Sequence, residues 1–195
     1  MQHLVRLSIL SAAAFLLAAC PPPQPRPTYP DITFSDKPPI NLDVAEIKID
    51  IPYIEPLEPP HVGETFPVSP LRAAHSWAEQ RLRAVGRRGT VTVTIVEAGA
   101  VEAELKRAGG LKGLFTKEQA QRYDVTINMK ILAVDPVGPR TSRATALVKR
   151  SNTVPENADL NQREEIQYTL VKNTMANFDQ AMESQIRKEL AGFVR

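Results

Sequence analysis

Residues 90–96 read Thr90-Val91-Thr92-Val93-Thr94-Ile95-Val96, a β-branched run in which threonine and aliphatic residues alternate. Period-2 alternation of this kind marks a strand with one buried face. A second such run lies downstream. Tyr123, Val125, Ile127, Met129 and Ile131 alternate with Asp124, Thr126, Asn128 and Lys130. Asp135-Pro136-Val137-Gly138-Pro139 is a turn cluster, and Ala144, Ala146 and Val148 mark the returning strand of an antiparallel hairpin. Upstream, Ile47, Ile49 and Ile51 alternate with charged residues, while Ile40, Leu42 and Val44 alternate in the opposite phase. A bulge or a strand start near Val44-Ala45 reconciles the two phases. The stretch from Gly99 to Gln121 is ambiguous; it reads as a short helix over Val101–Arg107, a loop from Gly109 to Phe115, and a turn capped by Thr116.

Two amphipathic helices complete the pattern. Ser69-Pro70 supplies an N-cap and a first helical proline. From there Leu71, Ala74, Ala78, Leu82 and Val85 form one face, flanked by Trp77. Gly86 is the expected stop, and Arg81 and Arg83 suit the negative end of the helix dipole. The last helix is capped by Asp159 or Asn161, with Gln162 or Glu164 three residues on. Its apolar face carries Ile166, Leu170, Met175, Phe178, Met182, Ile186 and Leu190; Glu165, Lys172, Asp179, Glu183 and Arg187 form the other. Met175, Phe178 and Met182 read as core, not as a ligand groove. The expectation is an α+β, two-layer domain over residues 40–195, with two helices on one face of a mostly antiparallel four-stranded sheet in the order βαβββα.

Composition narrows the function. Charged residues are 24% of 195 and the formal net charge is +2, which gives no footprint for nucleic acid. One cysteine excludes an intramolecular disulfide and a thiolate metal cluster. His75-Ser76 are neighbours about 100° apart on a helix and cannot work together as base and nucleophile. HExxH, nucleophile-elbow and Walker patterns are missing from the sequence. The reading is of a protein that is not an enzyme and takes no cofactor or metal.

The N-terminal stretch points to the membrane. Arg6 precedes an apolar run from Leu7 to Ala19. Thirteen helical residues rise about 20 Å, short of the ~30 Å hydrocarbon core, so the run reads as a signal peptide over residues 1–19. Its end, Leu17-Ala18-Ala19-Cys20, resembles the lipobox of bacterial lipoproteins. The resemblance implies a diacylglyceryl thioether on Cys20 and cleavage before it. The plainer reading, a buried cysteine after a helix, conflicts with Pro21-Pro22-Pro23. Residues 20–39 hold eight of the 17 prolines and few large apolar groups, which predicts an extended tether reaching up to roughly 60 Å. In lipoproteins with a lipobox, an aspartate after the cysteine marks inner-membrane retention; Pro21 stands there, which favours the outer membrane, facing the periplasm.

Behind the lipobox, the layout of Pro70 to Gly86, the strand ending near Val134, Lys149-Arg150-Ser151 and the helix ending Ile186-Arg187-Lys188-Glu189-Leu190 resembles the lipopolysaccharide-assembly lipoprotein and the auxiliary lipoproteins of lipid-transport ABC systems. The likeness covers most of residues 67–190 and implies a membrane-anchored, non-enzymatic part of an envelope assembly or lipid or lipopolysaccharide transport complex. Gly113–Thr116 and Arg150–Glu156 are similar to stretches of uncharacterised proteobacterial lipoproteins, which implies no activity. A stand-alone lipid- or peptidoglycan-binding module is the alternative. Lys106, Arg107, Lys112 and Lys117 surround Leu111, Leu114 and Phe115, so Lys112, Leu114 and Phe115 are candidates for membrane or partner contact. The plainer reading is a loop covering one end of the sheet. Gly110-Leu111-Lys112-Gly113 matches a nucleic-acid-clamping GxxG only by chance spacing. Arg81, Arg83, Arg87 and Arg88 form a second basic cluster, read as a solvated helix end.

Overall fold

A computed structural model describes residues 27–105, 119–137 and 140–195. Its elements are β1 (Ile40–Leu42), β2 (Glu46–Asp50), α1 (Pro70–Arg81), β3 (Leu82–Ala84), β4 (Thr90–Glu104), β5 (Gln119–Asp135), β6 (Arg140–Pro155) and α2 (Leu160–Glu189). The fold is α+β, with a four-stranded sheet in the order β2-β4-β5-β6 and a small parallel pair β1-β3. Within the larger sheet β2 runs parallel to β4, and the β4-β5 and β5-β6 pairs are antiparallel. Val91, Val93, Ile95, Tyr123, Val125, Ile127, Met129 and Ile131 are buried on the helix side, as their alternation predicts.

The opposite phases of residues 40–44 and 47–51 resolve as two strands in different sheets. Ile40 and Leu42 pair with Leu82 and Ala84, whereas Ile47 and Ile49 pair with Val91 and Val93. The helix expected over Val101–Arg107 is a correction: β4 continues to Glu104 in register with β5. A bulge between Ile95 and Glu97 switches the phase, so that Ala98 and Ala100 take over the buried positions. Broken alternation and small residues hid the strand, and ladder pairing outweighed helix propensity.

Helix α1 starts as read, with Ser69 Oγ accepting from the Arg72 N–H at 3.2 Å. It stops at Arg81 instead of Gly86, because Leu82 turns extended and joins β1. Trp77 lies at the centre of the buried face, while Val85 is 47% exposed. Gly86 serves close approach: a Cβ there would lie 2.5 Å from the Asp43 backbone. Helix α2 has the expected capping box between Asp159 and Gln162. Leu170, Met175, Phe178, Met182 and Ile186 are buried on its inner face, and the Glu183–Arg187 pair forms at 2.7 Å.

Two charged residues expected on solvated faces are buried, and this corrects the reading of both. Arg81 and Asp179 are each 1% exposed. Arg81 Nε donates to Asp179 Oδ1 at 2.7 Å, and Trp77 Nε1 donates to the same oxygen at 2.8 Å. Arg81 also reaches the Glu183 carboxylate and the Pro38 carbonyl.

The tether expectation is corrected over its second half. Ile32 and Phe34 are buried in the core cluster. The Phe34 N–H donates to Gln80 Oε1, and Lys37 Nζ meets Asp179 Oδ2 at 2.6 Å. The Tyr29 ring lies 5.1 Å from that of Tyr168. Residues 29–39 therefore form a strap over the helices, and the folded unit begins ahead of residue 40. Prolines make a segment extended without preventing every second side chain from packing, which composition alone conceals. A chain starting at Pro39 should melt well below one starting at Pro21. Burying Ile32 and Phe34 contributes about 1.5–3 kcal/mol each, partly offset by the entropy of ordering the strap. A fall on the order of 5 °C or more is expected by calorimetry, and equal melting temperatures would remove the strap from the stability account.

Candidate functional site

The helix-free face of the sheet is polar. Gly99, Thr126 and Lys149 lie side by side across β4, β5 and β6, as do Val101, Asp124 and Ser151. With Tyr53, His61 and Glu97 they line a recess of about 420 Å³. Tyr53 comes from the proline-bounded segment 51–60, which returns along the edge of β4. There the Val62 N–H donates to the Ala100 carbonyl at 2.9 Å, and the Glu102 N–H donates to the Pro60 carbonyl at 2.8 Å.

Glu55 holds this segment. Its carboxyl is buried, and Oε1 accepts from the backbone N–H groups of Ala100 at 2.8 Å and Gly63 at 3.2 Å. Oε2 is buried without a hydrogen-bond partner. Gly99 leaves the room: a Cβ there would lie 2.2 Å from the Tyr53 hydroxyl and 2.8 Å from Glu55 Oε1. Burial pushes the Glu55 carboxyl above its ordinary 4.5, with Glu64 adding to the shift and the two backbone donors and His61 opposing it. Burial first, then Glu55, Glu97 and Glu64, push the Tyr53 phenol up to about 12. The Tyr53 phenol is thereby held neutral as a hydrogen-bonding partner, and burial biases the Glu55 carboxyl toward its protonated form.

A pH dependence follows. Because the folded-state value of Glu55 is raised, the unfolded chain binds fewer protons above pH 4.5, and stability is lost as pH rises toward the folded value. Glu55→Gln keeps the acceptor and removes the ionisation. Its melting temperature should gain on the wild type as pH rises from about 4 through this window, judged by the difference between the two melting curves. A pH-independent difference would show that Glu55 titrates alike in the folded and unfolded chain, with no shift on burial.

A second arrangement sits at the opposite end of the sheet. Arg88 and Arg140 flank the nearly buried Asp135 at 3.5 and 3.6 Å. The Arg140 guanidinium lies 4.2 Å over the Phe193 ring and donates to the Gly192 carbonyl at 2.8 Å. Arg195 pairs with Asp43, and Arg87 is exposed beside them. Part of this end is a recess of about 530 Å³, lined by Val85, Arg87, Arg88, Asp135 and Arg195 among others. Val134 and Val137 are exposed nearby. Pinned arginines interleaved with apolar groups match the composition of protein interfaces and present planar donors to carboxylates.

Of the residues singled out in the sequence, Leu17, Ala18, Ala19, Cys20, Lys112, Leu114 and Phe115 lie outside the described residues, as do the Gly110–Gly113 stretch and the basic residues Lys106, Arg107 and Lys117. Within the basic cluster of residues 81–88, Arg81 is structural, whereas Arg87 and Arg88 meet Arg140 and Arg195, which sequence distance had separated. His75 is half-exposed on α1, 3.5 Å from Glu79. Glu55 and Tyr53 were not anticipated; a glutamate between two prolines and two large apolar residues was the available signal. Among the described residues no cluster of histidine, cysteine and carboxylates is placed to hold a metal ion, and no helix is long and apolar enough to cross a membrane.

No family model matches this chain, and no curated protein matches it. Among solved structures it is similar to the crystal structure of a Xanthomonas campestris protein of the family model DUF330. The two are 9% identical, with a TM-score of 0.34, over 84% of this chain and 93% of that one.

Proposed function

We propose that this protein is a membrane-anchored, non-enzymatic lipoprotein of the bacterial envelope that supports an assembly or lipid-transport complex, with the arginine-rich end receiving the protein partner. The observation that carries this reading is Leu17-Ala18-Ala19-Cys20, the only cysteine of the chain at the close of a short apolar run. Several acyl chains on one residue give stable attachment where a single chain gives marginal binding. The strap at residues 29–39 supports a domain that works near the membrane, since eight residues separate Cys20 from Tyr29, where the chain packs on the fold.

Cys20→Ser is expected to abolish fatty-acid labelling and to leave the precursor uncleaved. Metabolic labelling in the native cells decides it, and equal label on both proteins would sink the anchor. For the partner, the acylated chain purified from crosslinked membranes should carry a discrete envelope protein that Arg87→Glu with Arg88→Glu releases. Retention of that protein by the charge-reversed variant would move the docking surface elsewhere.

A further inference from the structure

We propose that the end of the sheet carrying Ile54, Leu57 and Leu160 lies against the bilayer that holds the Cys20 acyl chains. This rests on the anchor reading above and adds an orientation and a lipid-contacting surface to it.

The first observation is where the tether meets the fold. Tyr29 is fixed at the start of α2, its hydroxyl donating to the Asn161 carbonyl at 3.3 Å and its ring tilted 39° against that of Tyr168. From Cys20 to Tyr29 the backbone spans at most about 30 Å when fully extended. The start of α2 therefore stays within that distance of the acylated residue.

The second observation is what shares that end. The last residues of β4 and β6 lie there, since Glu104 pairs with Gln121 and Gln121 with Val154. The turn of segment 51–60 lies there too: the Pro60 carbonyl is bonded at Glu102, two residues from the end of β4. This turn presents Ile54 and Leu57, each 85% exposed, and Leu160 of α2 is 56% exposed. Among the described residues, Ile54 and Leu57 are the most exposed of the large apolar side chains. They are also held in place, because Glu55 between them is buried and bonded to two backbone donors, and Pro52, Pro56, Pro59 and Pro60 stiffen the segment. A fixed apolar projection beside a membrane tether suits shallow insertion at the headgroup boundary. The arginine-rich end lies at the other end of α2, whose 30 residues rise about 45 Å, which leaves it free for a protein.

The lone cysteine makes the test direct. In the acylated full chain the Cys20 sulfur is consumed by its thioether, so Leu57→Cys or Val137→Cys carries the only free thiol. Each variant, and Ile54→Cys as a second reporter, is labelled with bimane and reconstituted into phosphatidylcholine–phosphatidylethanolamine vesicles with or without brominated acyl chains. The expected result is blue-shifted emission at 54 and 57, quenched most by bromines about 5–10 Å below the headgroups, and unquenched emission at 137. Intact mass and vesicle flotation report the anchor separately. An acylated, floating protein with labels at 54 and 57 as unquenched as that at 137 overturns this orientation and leaves the anchor standing. A chain with no acyl mass that fails to float overturns both.

Discussion

Asp179→Ala should cost about 3–5 kcal/mol or prevent folding, although it removes only a short polar side chain. The carboxylate is the common acceptor of three donors, Arg81 Nε, Trp77 Nε1 and Lys37 Nζ, from α1 and the strap. Arg81 is 1% exposed, so the variant strands most of a guanidinium in the core with Glu183 and one carbonyl as remaining partners. Burial by itself would raise the Asp179 value; the hydrogen bonds from Lys37, Arg81 and Trp77 outweigh it and hold the group below its ordinary 3.8. A lowered folded-state value means that the contribution is present above 3.8 and lost as pH falls through the folded value. Acid in that window should therefore loosen this joint, taking the strap with it. Asp179→Asn, which keeps an acceptor for Trp77, should be milder. Replacing both partners, as in Arg81→Met with Asp179→Leu, should recover much of the loss, because the cost lies in the unpaired charge more than in the missing pair. Urea denaturation of the three variants measures this. An Asp179→Ala protein within about 1 kcal/mol of wild type would mean that water reaches the cluster and solvates the unpaired guanidinium.

The same cluster shows how far sequence reading extends. Alternation found the strands with one face on the helices, because a half-buried strand must write its burial into every second residue. Helix faces were legible to the same degree, with one systematic error. Asp179 stands four residues after Met175 and three before Met182, squarely on the apolar stripe, and Arg81 stands four after Trp77. Assigning charges to the outside by type set both residues on the wrong face. Opposite charges on two apolar stripes were the signal for a buried pair, and that signal lies in two segments about a hundred residues apart. Ile32 and Phe34 are concealed in a comparable way, because the prolines around them give the segment the composition of a linker. Of the candidate surfaces, Arg87 and Arg88 were legible as a cluster. Their meeting with Arg140 and Arg195 depends on β-sheet register and on the chain after α2, which local pattern does not carry.

Phe178→Ala is the variant that separates a core role of the last helix from a docking role. The Phe178 ring is fully buried and meets Trp77 edge-on, with centroids 5.1 Å apart and planes at 81°. Its loss removes an aromatic pair from the contact between α1 and α2 and leaves a cavity, at a cost of about 3–5 kcal/mol. A domain of this size has a total stability of roughly 5–15 kcal/mol, so the melting temperature should fall by on the order of 10 °C or the chain should fail to accumulate. Phe178→Leu, which refills part of the volume, should lie between the two. A docking stripe behaves otherwise: truncating an exposed ring leaves the melt unchanged and abolishes partner capture. The structure sets the expectation firmly on the first side, since Met175, Met182 and Ile186 are as buried as Phe178. Thermal melts and crosslinked pull-downs on the same protein read the two effects independently. An unchanged melt with lost capture would move the partner surface from the arginine-rich end to α2 and require the two helices to separate on binding.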